Sequence, residues 1–327
     1  MSKTALKEDS APRVWIVSED LRGTQNQAVG VAEALGVPYT VKVIGLKQPW
    51  KSLSPYLGME CSCAFTGDNL SAPWPDLVIA AGRKAIAAAR YIKKSSNGKT
   101  FTVYLQDPRI SPKNFDLVAL PAHDPTRGEN VLVTKATPNR ITEKRLKDEA
   151  KSFSELAKLP SPRIALMIGG NSTAYDLTDD VARKLVNDIH AFRKTNPSSL
   201  MVTASRRTPD SARLIFEEGF QGENVFFWDE KSPNPYFAYL ALADILMVTS
   251  DSASMLSEAA TTGKPVYMIP LKRKSEKRTR LDGLHDSLIE AGAMRIFEGK
   301  IEHWDYTPLN DAQMVAAAIK KRLPDLA

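Results

Sequence analysis

Three short polar turns in the carboxy-terminal half combine residue types that suit phosphate. Thr249-Ser250-Asp251-Ser252-Ala253-Ser254 follows an apolar run, Ile245 to Val248, and precedes a helical pattern that starts near Met255. Gly169-Gly170-Asn171-Ser172-Thr173 follows the run Arg163 to Ile168, and Ser205-Arg206-Arg207-Thr208-Pro209 follows Ser199 to Ala204. Where a strand ends and a helix begins, unpaired N–H groups and the helix dipole favour an anion. Two glycines let a ligand approach the backbone closely, and paired arginines suit a diphosphate. Glu258, one turn into its helix, could accept hydrogen bonds from sugar hydroxyls. Each turn also has an ordinary reading: a helix capped by Ser252 or Ser254, a tight turn at Gly169-Gly170, a solvated helix start at Arg206-Arg207. Three in one half favour a single shared site.

The amino-terminal half offers a different chemistry. Its strand ends carry Gly23 through Gln27, Gly82-Arg83-Lys84, Gln106-Asp107-Pro108-Arg109 and Pro121-Ala122-His123-Asp124-Pro125. A neutral imidazole takes a proton from a hydroxyl near neutral pH, so His123 is the leading general base. Its ordinary reading is a surface loop histidine. Asp107 and Asp20 are weaker base candidates with a turn or cap role as the alternative. His123, Asp107 and Arg109 are therefore the candidate catalytic residues, and Gly23, Gln27 and Arg83 the candidate substrate contacts. There is no Asp-x-Asp, no zinc-ligand spacing and no Gly-x-Ser-x-Gly elbow. The expected chemistry uses no metal and no separate cofactor, with leaving-group charge held by arginines and helix amino ends.

Alternating strands and helices must position these turns. With 327 residues the chain suits two domains of roughly 150 residues each. Strands are expected at 14–18, 39–44, 77–81, 100–106 and 115–120, then at 163–168, 199–204, 224–228, 245–248 and 265–269. A charged helix is expected over 142–158. Leu159-Pro160-Ser161-Pro162 is a stiff connector that sets the boundary. The fold class is α/β: two doubly wound, Rossmann-like parallel-sheet domains facing a central cleft. Residues 1–159 are expected to form the first domain, with 1–12 a loose tail. Residues 160–327 are expected to form the second, phosphate-binding domain, with the last helix packing back on the first. Gln48 to Trp74 has no clear period.

Hydrophobic residues make up 43% of the chain and charged residues 25%, as in a soluble globular protein. No apolar run approaches the ~20 residues that span a bilayer, and the polar start lacks a secretion signal. A cytoplasmic location is expected, with Cys61 and Cys63 as reduced thiols. The net charge is +6, and Lys272, Arg273, Lys274, Lys277, Arg278 and Arg280 crowd together. That run is either a solvated loop or an anion-binding surface, including acidic lipid at the inner face of the cell membrane. Without interleaved aromatics or a recognition motif, no nucleic-acid partner is expected.

Gly23-Thr24-Gln25-Asn26-Gln27, Gln106-Asp107-Pro108-Arg109, Pro121-Ala122-His123-Asp124, Gly169-Gly170-Asn171, Ser205-Arg206-Arg207-Thr208-Pro209, Asn234-Pro235-Tyr236 and Thr249 through Met255 span nearly the whole chain. Together they resemble the mitochondrial-fission ELM family, and more broadly the GT-B glycosyltransferases, including the one that completes the peptidoglycan lipid precursor. The resemblance implies a GT-B fold with Gly170, Asn171 and Ser252 to Met255 lining a diphosphate. It also implies Glu258 on the ribose and Phe227 or Trp228 at the base. Arg22-Gly23-Thr24-Gln25 departs from the Gly-Gly-x-Gly-His of the peptidoglycan enzyme, so acceptor and base do not transfer. The expected activity is a metal-independent, inverting glycosyltransferase using a UDP-sugar on a lipid-linked or cell-envelope polysaccharide acceptor, with peripheral membrane contact. The alternatives are a nucleotide-sugar 2-epimerase and a non-catalytic scaffold recruiting a dynamin-like partner.

Overall fold

The computed structural model describes residues 11–324. Most of the tail expected at 1–12 lies outside the described residues. By contacts the chain divides into two compact units. The first comprises Met1–Thr134, Pro138–Arg140 and Asp311–Ala327, and the second Lys135–Thr137 and Ile141–Asn310.

The first unit contains β1 (Val14–Ser18), α1 (Arg22–Leu35), β2 (Tyr39–Leu46), α2 (Trp50–Leu53), β3 (Phe65–Gly67), β4 (Leu77–Ala81), α3 (Ala85–Ser95), β5 (Phe101–Leu105), β6 (Leu117–Pro121) and β7 (Val131–Thr134). The second opens with α4 (Glu143–Ser152) and α5 (Ser154–Ala157), then β8 (Arg163–Ile168), β9 (Tyr175–Asp176), α6 (Asp179–Thr195), β10 (Ser199–Ala204), α7 (Asp210–Gly219) and β11 (Val225–Phe227). It continues with α8 (Tyr236–Leu242), β12 (Ile245–Thr249), α9 (Ala253–Thr261), β13 (Val266–Ile269), β14 (Lys272–Arg273), α10 (Arg280–Glu290) and β15 (Met294–Ile296). The last helix, α11 (Asp311–Arg322), belongs to the first unit, where it packs on α1.

The sheet of the first unit runs β3-β2-β1-β4-β5-β6-β7, parallel except for β3. That of the second runs β11-β10-β8-β12-β13-β15, all parallel. In each, the order reverses beside the first strand, between β1 and β4 and between β8 and β12. Such reversals leave a crevice beyond the strands' carboxyl ends. The central strands are continuous apolar runs because helices cover both faces. In β8, Ala165 and Met167 join the core on one face, and Ile164, Leu166 and Ile168 the core on the other. β1 divides in the same way, with Trp15 and Val17 against Val14 and Ile16. The α/β, doubly wound GT-B-type fold class is the one the sequence led us to expect.

Local departures have physical causes. The helix expected over 142–158 is two, because Phe153 leaves helical geometry at φ −117° and ψ 49°. α4 packs on α8, inside the second unit and ahead of the Pro160–Pro162 connector. The illegible 48–74 stretch holds α2 and the antiparallel edge strand β3. Cys61 and Cys63 are not the free thiols expected. They are joined as a disulfide, since the turn beginning at Ser62 brings their Cα atoms to 5.2 Å.

Candidate functional site

β8 lies between β10 and β12, so the three polar turns of the second unit emerge side by side. The residue at their centre is Asp251, whose side chain is fully buried at 0% exposure. Its Oδ2 accepts the Gly170 N–H at 2.9 Å and an Arg207 guanidinium N–H at 2.7 Å. Its Oδ1 accepts the Thr249 hydroxyl at 2.7 Å, and Thr249 Oγ1 accepts the Gly169 N–H at 2.7 Å. Arg207 also donates to Asn171 O at 3.0 Å, while the Asn171 N–H donates to Arg207 O at 3.1 Å. Thr208 closes the ring by donating its hydroxyl to Gly169 O. A buried carboxylate is tolerated only when its oxygens are satisfied, and here four donors do so directly or at one remove.

This network corrects one expectation. A Cβ on Gly169 would lie 2.2 Å from the Asp251 carboxylate oxygens, and one on Gly170 2.0 Å from Arg207 O. The glycines let protein approach protein, and their N–H groups are already given to Thr249 and Asp251. Asn171 Oδ1 holds the Leu177 N–H at 2.8 Å, and Ser205 Oγ the Arg207 N–H at 3.1 Å. Ser250 is turned inward too: its Oγ accepts from Leu271 N–H at 3.0 Å and its carbonyl from His285 Nε2 at 2.9 Å. Burial holds His285 below the ordinary histidine range.

What stays open is the amino end of α9. Ser252 occupies the cap position, yet its hydroxyl makes no capping bond. Among the described residues nothing accepts the N–H groups of Ala253, Ser254 and Met255. Arg206 is exposed and makes no ion pair among the described residues, unlike its neighbour Arg207. One turn into α9, Glu258 is buried to 8% exposure and takes the Tyr236 hydroxyl from α8. Burial and the Glu258 charge both raise the Tyr236 phenol well above its usual value, so it stays a donor. Trp228 follows β11 on the same edge of the sheet, two strands from β8, with its indole N–H on Ser232 O at 3.1 Å.

The basic run is partly neutralised. Arg273 pairs with Asp282, Lys274 with Asp176 at 3.0 Å and Arg278 with Asp286. Lys272 and Lys277 are exposed without an ion pair among the described residues. A cavity of about 720 Å³ opens at the opposite, amino-terminal edge of this sheet. It is lined by Arg163, Asp244 and Lys264, whose ammonium donates to Leu240 O at 2.9 Å and which burial lowers to about 8.

In the first unit Glu19 bridges the reversal, accepting the Lys84 N–H at 2.9 Å and its ammonium at 2.8 Å. Gln106 Nε2 donates to Gln27 Oε1 at 3.1 Å, linking β5 to α1. Asp107 is buried and its Oδ1 accepts the Arg109 N–H at 2.9 Å and the Thr126 hydroxyl at 2.8 Å. It fixes a turn whose flanking residues, Gln106 at φ 96° and Arg109 at φ 56°, both hold left-handed backbone. His123 sits half-buried on the loop after β6, which Arg127 braces by donating to Ala122 O at 2.8 Å. Arg83 is committed to the segment after β2, donating to Ser54 O at 2.7 Å. Gly23 is exposed in the first turn of α1. A cavity of about 340 Å³, lined by Glu19, Leu21, Gly45 and Lys84, opens beside β1 and β2.

The sequence matches the family model described as Mitochondrial fission ELM1 over residues 22–323. The chain belongs to this family. The Mitochondrial fission protein ELM1 of Arabidopsis thaliana is 32% identical over 278 residues, which cover 76% of this chain and 64% of that protein. The chain thus spans somewhat less than two thirds of that relative's length. Among solved structures, the UDP-GlcNAc 2-epimerase from Methanocaldococcus jannaschii is similar with a TM-score of 0.56 at 11% identity, covering 94% of this chain and 99% of that one. The glycotransferase of kitacinnamycin is similar with a TM-score of 0.50 at 13% identity, covering 97% and 94%. At these identities the likeness concerns the fold.

Sequence reasoning missed Thr249 and Thr208 as parts of the ring, Tyr236 as the partner of Glu258, and Glu19 as the link between β1 and β4. Tyr236 belongs to the Asn234-Pro235-Tyr236 motif, whose residue types alone do not point to Glu258. The hydroxyls at strand ends were visible, but not what they meet across the sheet. No helix among the described residues is long and apolar enough to cross a membrane.

Proposed function

We propose that the second unit binds a nucleoside-diphosphate sugar and that the chain transfers the sugar, with inversion, to a hydroxyl acceptor. One observation carries this reading: an uncapped helix amino end at the β8/β12 reversal, with a buried Glu258–Tyr236 pair one turn further in. The N–H groups of Ser254 and Met255 and the free guanidinium of Arg206 supply positive charge for the diphosphate, without calling on a metal. Glu258 accepts the ribose hydroxyls. Trp228 stacks on the base. A uridine nucleotide is the first choice because a similar fold is named for UDP-GlcNAc chemistry.

The first unit supplies the acceptor contacts and the base. His123 takes the proton of the acceptor hydroxyl, whose oxygen attacks the anomeric carbon. The bond to the diphosphate breaks, and the nucleoside diphosphate leaves with the electron pair. Asp107 and Arg83 hold the loops, and Arg109 is an exposed cation of that edge. A lipid-linked or envelope acceptor fits a chain of this kind. The same donor site would serve a 2-epimerase, a reading favoured by the buried carboxylates Asp107 and Asp124 at neighbouring strand ends.

Calorimetric titration with UDP, UMP and uridine tests the donor site. UDP is expected to bind at least about ten-fold more tightly than UMP. No heat from UDP at millimolar concentration sinks the reading. Product analysis by NMR then separates the reactions, since an epimerase alters the sugar with no acceptor present. A scaffold would do neither, and would tolerate loss of Arg206.

A further inference from the structure

The described residues with the most exposed large apolar side chains include three on one short segment of the first unit. Leu53 is 50% exposed, Tyr56 69% and Met59 79%. Singly exposed apolar residues are ordinary, but a contiguous patch marks a binding surface. This segment leaves β2 at its carboxyl end. Leu21, 54% exposed, leaves β1 at the same edge and lines the cavity beside Glu19 and Lys84.

The segment is braced rather than loose. The Tyr56 N–H donates to Leu53 O at 2.9 Å, Trp50 Nε1 to Gly58 O at 3.0 Å, and Arg83 to Ser54 O at 2.7 Å. These bonds satisfy the polar groups of the turn and leave the apolar side chains outward. Within the segment itself, the charge not taken up by an ion pair has one sign. Residues 47–60 contain Lys47 and Lys51, both exposed and without an ion pair among the described residues, and a single acid, Glu60. Glu60 is committed to Arg90.

We propose that this segment is a membrane-docking surface: Leu53, Tyr56 and Met59 enter the interface of an anionic bilayer while Lys47 and Lys51 meet lipid phosphates. Short apolar side chains with a tyrosine among them suit the headgroup boundary, and flanking lysines gain from acidic lipid. The two exposed lysines give the apolar patch a positive margin, the charge that complements an anionic lipid surface. The docking moves the membrane contact away from Lys272 to Arg280, where half the cations are already paired. The inference does not depend on the transferase reading, because vesicle binding is measured without sugar donor.

The test is flotation of the full chain with phosphatidylcholine vesicles, with and without roughly one-third phosphatidylglycerol. The wild type is expected to float only with the anionic vesicles. Leu53→Ser/Tyr56→Ser/Met59→Ser and, separately, Lys47→Glu/Lys51→Glu should each lower the bound fraction by about ten-fold. Lys272→Glu/Lys277→Glu should change it by less than about two-fold. Absence of wild-type flotation overturns the proposal, as does undiminished binding by the apolar triple variant. Equal loss in the Lys272/Lys277 variant overturns it in favour of the basic run. A wild-type dimer that the triple variant turns into monomers assigns the patch to self-association instead.

Discussion

The two units carry the same strand order, yet they hold their strand ends in different ways. In the second, one buried carboxylate ties three adjacent ends together: Asp251 reaches Gly170 after β8, Arg207 after β10 and Thr249 at the end of β12. In the first, the links described are more dispersed: Glu19 to Lys84, Gln106 to Gln27, Asp107 to Thr126. A ring around a single ion fixes relative positions stiffly. Separate pairs permit each loop to adjust. That difference suits the proposed division of labour, in which the second unit holds one invariant group, the diphosphate, and the first a variable acceptor.

Breaking the ring should therefore cost more than breaking any pair. Asp251→Ala strips the acceptor from Gly170, Thr249 and Arg207, and should destabilise the chain by about 3 kcal/mol in denaturant unfolding. Gly170→Ala should cost a similar ~3 kcal/mol, because its Cβ meets backbone that has nowhere to go. Asp107→Ala, the counterpart in the first unit, should cost only about 1–2 kcal/mol. Equal losses at Asp251 and Asp107 would remove the contrast.

The neighbouring arginines sharpen it further. Arg207 is 43% exposed, so solvent screens its pair with Asp251, and Arg207→Ala should cost about 1 kcal/mol. Arg206→Ala should change stability by less than ~0.5 kcal/mol but weaken UDP by about ten-fold in calorimetry. The reverse pattern would exchange their roles.

The smallest effect concerns pH. His285 is held below its ordinary 6.5 by burial, so the unfolded chain binds its proton first. Its contribution is present above about pH 6.5 and is lost as pH falls below that value. His285→Gln should flatten stability against pH in that window, as followed by thermal unfolding. An unchanged slope would show that His285 titrates as it does in the unfolded chain.

Much of this was legible in the residues. Uninterrupted apolar runs such as Leu77–Ala81 and Ile245–Val248 declare strands buried on both faces, and the turns after them announced where polar groups gather. The layout of the site was less legible, for a physical reason. Gly169-Gly170 reads alike whether the space above it holds a ligand or the carboxylate of Asp251, eighty-odd residues away in sequence. Arg206 and Arg207 are equivalent by type, and only the fold commits one of them. The segment 48–74 stayed opaque because its structure comes from turn bonds such as Trp50 to Gly58, which have no periodicity to read.

The central claim is that the amino end of α9 holds the diphosphate, while the glycine turn serves only to hold the ring. Titrating UDP into the isotopically labelled chain and following backbone amide resonances tests it most directly. The Ser254 and Met255 amides should shift strongly and saturably, with Gly169 and Gly170 nearly still. Large shifts at Gly170 with Ser254 and Met255 unmoved would contradict the account.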